Sequence, residues 1–133
     1  MGWTLRSGGA EGADSAGEEG FDEVGGSKEI YLAWKRENKK EGIVAPKLKN
    51  WPKALEILKD TLDSSHFNNL NPIHLKLHGR NVYQVLGMDL NTPSSLMICY
   101  TLNGQAIGGT KTAILLAKKY DVPIINLGAE CGT

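Results

Sequence analysis

The segment Trp3-Thr-Leu-Arg-Ser-Gly-Gly-Ala-Glu-Gly-Ala-Asp14 runs a short apolar strand straight into a glycine-rich turn, with a small-residue helix after it. That order leaves backbone N–H groups uncovered by side chains at the positive end of a helix, the arrangement by which α/β proteins hold phosphate. Gly8, Gly9 and Gly12 allow close approach, Asp14 suits ribose hydroxyls, and Ser7 and Ala10 belong to the same candidate set. The plainer alternative is a tight strand-to-helix turn in which Asp14 is a solvent-facing first-turn acid. A second glycine turn, Gly108-Gly109-Thr110, has the same strand–turn–helix setting, and its threonine can both cap a helix and bond a phosphate oxygen. Thr101, at the end of the strand before it, joins the candidate set. Two such turns suggest a nucleotide or nucleotide-like ligand.

Further polar groups sit where they can address the same ligand. Arg80 and Gln84 are one helical turn apart with Asn81 adjacent, on a segment otherwise apolar. A solvated helix face is the alternative. Arg6 ends its strand beside the first glycine turn and suits either a phosphate or a salt bridge to a nearby acid. His66, His74 and His78 lack a cysteine or acid at ligand spacing, so no metal is expected. Ser7 lacks a Gly-x-Ser-x-Gly elbow, which leaves no nucleophilic set. Trp34 and Trp51 flank a lysine-rich stretch and suit either base stacking or, as aromatics at element ends usually do, the core. No resident cofactor is called for.

The elements that must hold these residues read as alternating strands and helices. Strands are expected over residues 3–7, 28–34, 95–101 and 123–127, and helices over 12–24, 51–62, 73–87 and 110–120. Gly17 and Gly20 each cost the first helix roughly 1 kcal/mol against alanine. Asn50 is the expected N-cap of the second helix, with Pro52 in its first turn. Its apolar positions Trp51, Leu55, Leu58 and Leu62 keep helical spacing; Leu77, Val82, Val85 and Leu86 serve the third helix, and Ala113, Leu116, Ala117 and Tyr120 the last. Residues 36–50 and 64–72 read as an exposed excursion and a polar connection. The third strand, Ser95 to Thr101, is nearly continuously apolar, as expected when both sheet faces are covered. Strands separated by helices imply a parallel, doubly wound sheet.

Composition bounds the function. With 133 residues the chain is read as a single domain, 1–133. Lys plus Arg equals Asp plus Glu at 15 each, so binding of nucleic acid by bulk charge is disfavoured. Cys99 reads as a buried strand residue and Cys131 lies in a glycine-rich tail, which fits a reducing cytoplasm. There is no leader pattern and no apolar run of about 20 residues, so no membrane association is expected.

Arg6-Ser-Gly-Gly-Ala-Glu-Gly-Ala-Asp14, Lys28-Glu-Ile-Tyr-Leu-Ala-Trp34, Arg80-Asn-Val-Tyr-Gln-Val-Leu-Gly87 and Gly108-Gly-Thr110 with Ala113 resemble, in order and over most of the chain, small phage and bacterial proteins of the SLOG superfamily. These are similar to DNA-processing (DNA recombination-mediator) protein A. The resemblance implies an α/β, Rossmann-like three-layer sandwich with a mostly parallel sheet of about four strands. It also implies a nucleotide-derived ligand that is sensed or sequestered in the cytoplasm (the host's, for a phage-encoded chain), and self-association into a homo-oligomer as an open alternative.

Two departures from the family pattern bear on that expectation. Relatives begin with a further strand and a Gly-Ser-Arg-like turn that this chain lacks, so an N-terminally truncated fold is expected. Strands 3–7 and 95–101 would then face a gap of about 10 Å, twice the ordinary spacing. A bulky aromatic usual in relatives is replaced at Ala16-Gly17, a loss of about 3 kcal/mol or more where the space stays empty.

Two alternatives follow from the same superfamily. One is a nucleotide N-glycosidic hydrolase, although Leu115 stands where that class carries its catalytic glutamate. The other is a single-stranded DNA binder, which would need a basic groove that the neutral chain does not advertise.

Overall fold

The computed structural model describes residues 4–8, 19–20, 26–36, 42–99 and 108–126. Strands β1 (Thr4–Ser7), β2 (Ser27–Leu32) and β3 (Ile43–Val44) form one parallel sheet in that order. Arg6 stands opposite Glu29 and Ser7 opposite Ile30, while Tyr31 stands opposite Ile43. Strands β4 (Met97–Cys99) and β5 (Ile124–Asn126) form a second parallel pair, with Ile98 opposite Ile125. The protein is therefore α/β with parallel strands, and among the described residues these form one sheet of three strands and one of two. Among the described residues no backbone pairing joins β1 to β4.

The helices described in full are α1 (Trp51–Thr61), α2 (Ser64–Asn68), α3 (Pro72–Leu86) and α4 (Gly108–Lys119). Helix α3 is the centre of the molecule. It packs against α1, α4, β1 and β2, and its Val82, Tyr83 and Leu86 are buried to within 1%. Opposite them lie Ala54 and Leu58 of α1, Leu116 and Ala117 of α4, and Tyr31 of β2. The α3 start is set by Asn71, whose Oδ1 accepts the His74 N–H at 2.8 Å, and its end by Gly87 at φ +80°. A left-handed φ of that kind is open to glycine at little steric cost.

Several expectations are corrected. The stretch 36–50 is not wholly an exposed excursion, because it supplies β3 and a 3-10 turn over Ala45–Lys47 whose Ala45 is fully buried. Two residues of strand carry no periodicity to find. The polar connection contains α2, started by Asp63, whose Oδ1 accepts the His66 N–H at 2.7 Å. Asn50 is the N-cap residue of α1, and its carbonyl accepts the Ala54 N–H at 3.1 Å, but its side chain makes no capping bond. Its Nδ2 donates to Met88 O at 2.9 Å and its Oδ1 accepts the Tyr83 hydroxyl at 2.7 Å, so tertiary partners displace the local one. Trp51, Leu55 and Leu77 are half-buried.

The third strand is not covered on both faces either. Cys99 is buried, but Ile98 is 62% exposed, and its neighbours Leu96 and Ile125 are exposed too. Of the expected first helix, only Glu19 and Gly20 are described, and both are helical.

Candidate functional site

Residues nominated from distant parts of the sequence meet at the end of β1. Arg80 Nη1, on α3, donates to Gly8 O at 2.6 Å. A Cβ built on Gly8 would lie 2.4 Å from Gln84 Nε2 and 2.8 Å from Arg80 Cζ. Glycine is thus what lets the strand end lie directly on the two polar side chains of α3. Ser7, just before it, is buried, and so is Asn81.

The second glycine turn is carried by α4. Gly108 and Gly109 open that helix, so their backbone N–H groups belong to its unsatisfied first turn. No acidic residue occupies this first turn, and Lys118 and Lys119 sit in the last. The positive end of the helix therefore carries no acid of its own first turn. Thr110 is half-buried. Its neighbour Thr112 is fully buried and shares a 2.6 Å hydrogen bond with His78 Nδ1 of α3.

Helix α3 is therefore the common platform. Its Arg80 and Gln84 touch the end of β1, while His78 holds the first turns of α4. With about 3.6 residues per turn, Asn81 falls on the arc of α3 between those two contacts. Gly9, Ala10, Gly12, Asp14 and Thr101 lie outside the described residues.

Arg6 sits close by but is differently engaged. Its Nη1 donates to Thr92 O at 2.7 Å and to Ser94 Oγ at 3.0 Å, and its Nε lies 3.4 Å from Glu29 Oε1. A Cβ on Gly87 would lie 2.7 Å from Arg6 Nη2, so the guanidinium rests on that glycine. The segment it grips is rigidly built: Thr92 N–H donates to Leu86 O, Ser94 N–H to Val85 O, and Ser94 Oγ to Gln84 O. Asn91 N–H and the Thr92 hydroxyl both donate to Asp89, holding its carboxyl below the ordinary value. The salt bridge to a nearby acid that the sequence allows for Arg6 is present, to Glu29.

The remaining candidates offer little chemistry. Among the described residues no group of three or more His, Cys, Asp or Glu is disposed to hold a metal. Burial pushes the Cys99 thiol up, away from the thiolate. Trp51 is a packing residue: its ring lies parallel to Tyr83, at 6.4 Å, and over Gly79, where a Cβ would come within 2.3 Å of it. Trp34 is exposed. No described helix is long and apolar enough to cross a membrane.

Sequence reasoning missed His78 as the side chain that ties α3 to the helix carrying the second glycine turn. The available signal was a polar residue on the apolar face of an amphipathic helix, one turn before Val82. Comparison of the chain with protein-family models, with curated proteins and with solved structures finds no match in any of the three.

Proposed function

We propose that the protein binds a nucleotide or nucleotide-derived ligand, its phosphate held by the first turn of α4 and by the glycine turn after β1. In this reading Arg80, Asn81 and Gln84 of α3 address the ligand's polar groups. In this reading the parallel strands belong to a Rossmann-like fold of the kind found in the SLOG superfamily, which the motifs resemble. The observation that carries the reading is the contact of Gly8 with Arg80 and Gln84. These residues, far apart in sequence, form one cluster in which a side chain at position 8 would displace the ends of Arg80 and Gln84. The acid-free start of α4 supports it. Arg6, already gripping Thr92, Ser94 and Glu29, is a structural neighbour of the site in this scheme.

The test is a thermal-shift panel of AMP, ADP-ribose, NAD, cyclic dinucleotides and an oligonucleotide, with product analysis on the same samples. A ligand at 100 times its Kd adds about 2.7 kcal/mol to stability. That stabilisation is expected from at least one nucleotide, and it should weaken at least tenfold in affinity in Arg80→Ala. Stabilisation by the oligonucleotide alone would replace the reading with single-stranded DNA binding. Release of free base would make the protein an N-glycosidic hydrolase.

A further inference from the structure

His78 is a buried titratable group for which the proposed site has no use. Its side chain stands where three helices meet. From α4, the fully buried Thr112 offers its hydroxyl at 2.6 Å from Nδ1. From α2, His66 meets the His78 ring edge-on, with centroids 5.9 Å apart and planes 82° apart. Helix α3 itself adds His74 one turn before and Arg80 just after. From α1, the ring of Trp51 covers Gly79. The nearby carboxylate of Asp63 is taken up by the His66 N–H at the start of α2, and Lys111 of α4 projects to the surface. Among the described residues, every charged or chargeable group that bears on His78 is thus a base: His66, His74 and Arg80.

We propose that His78 is a proton-operated latch, which when neutral holds α2 and the first turns of α4 against α3 and when protonated loosens them. The hydrogen bond to Thr112 is not what breaks. A protonated ring still donates from Nδ1, and the hydroxyl can turn to accept. What changes is that a full charge appears in a buried joint, among like charges and with no acid among the described residues to receive it.

Burial, and then the charges of His66, His74 and Arg80, lower the His78 value below the ordinary 6.5. The sign follows from proton uptake. The opened state binds the proton more readily than the closed one, so the latch is at full strength above 6.5. It weakens progressively as the pH falls through 6.5 toward the lower closed-state value. This device is independent of whether a nucleotide binds nearby.

The test uses the intact protein without ligand. The His78 ring is followed by NMR, and amide-exchange protection of residues 110–116 is followed from pH 7.5 to pH 5, corrected to an unfolded reference. The ring is expected to titrate below 6.5. Protection of those amides should fall about threefold or more over the same interval, and it should do so before the amides of β2 are affected. His78→Gln should flatten that pH dependence. If His78→Gln does not fold, the wild-type measurements still decide: a ring midpoint at or above 6.5, or protection that is unchanged on acidification, overturns the latch. An equal fall in a folded His78→Gln also overturns it.

Discussion

Gly8 and Arg80 are joined by a 2.6 Å hydrogen bond from the guanidinium to the glycine carbonyl, across 72 residues of sequence. The end of β1 and the middle of α3 are thereby locked together without any contact through a side chain at position 8. Arg80 thus holds the chain at Gly8, where β1 ends. The positions of Gly8 and Gly79 show how differently two crowded glycines can behave.

At Gly8 the atoms in the way are the far ends of Gln84 and Arg80, which can swing aside. Gly8→Ala should therefore cost about 1 kcal/mol or less in urea unfolding, while moving both side chains and weakening nucleotide binding. At Gly79 the obstacle is the rigid Trp51 ring, packed parallel to Tyr83. Gly79→Ala gains roughly 1 kcal/mol of helix propensity, yet it should lose about 2 kcal/mol net through overpacking. Equal losses at the two sites would contradict this account.

Arg6 is expected to matter for stability more than its place at a strand end suggests. It bonds Thr92 O and Ser94 Oγ, and these hold the loop that folds back on the α3 terminus. The part-buried bond from the charged guanidinium to Ser94 Oγ contributes about 1.5–3 kcal/mol, while the exposed bond to Thr92 O and the partly exposed pair with Glu29 add little. Arg6→Ala should cost about 2–3 kcal/mol by denaturant unfolding, and Glu29→Gln under about 1 kcal/mol. A nucleotide affinity unchanged in Arg6→Lys, beside a measurable stability loss, would fit its structural role.

The parts of this fold that were legible in the sequence are those with a long period. Helices α1, α3 and α4 each repeat apolar residues over three turns or more, and their ends fall within two residues of expectation. The pairing of Arg80 with Gln84 was legible for the same reason, since one turn of helix brings them together. What was not legible depends on tertiary partners. Asn50 looks like a cap, but Tyr83 and Met88 claim its side chain. The two residues of β3 are a strand only because β2 lies beside them. Ile98 reads as core by hydrophobicity, yet its side of the β4–β5 pair is bare. No local pattern records whether a sheet face will be covered.

The two stacked tyrosines define an alkaline limit. Tyr31 and Tyr83 lie 5.6 Å apart at 22°. Burial pushes the Tyr83 hydroxyl up to about 12 from 10.0. Tyr31 is raised further, by burial and then by its hydrogen bond to Glu29 and the charge of that carboxylate. Both phenols are held neutral in the fold, so the unfolded chain loses their protons first. Their contribution to stability is complete below pH 10.0, and the Tyr83 share is lost as the pH rises through about 12. Near-ultraviolet titration should therefore show two phenols ionising late, together with unfolding. Tyr83→Phe should remove one of them, flatten the alkaline fall in stability, and cost about 1 kcal/mol at neutral pH through the lost bond to Asn50. Phenols that all titrate near 10.0 while the protein stays folded would mean that this stack admits water and does not close the core.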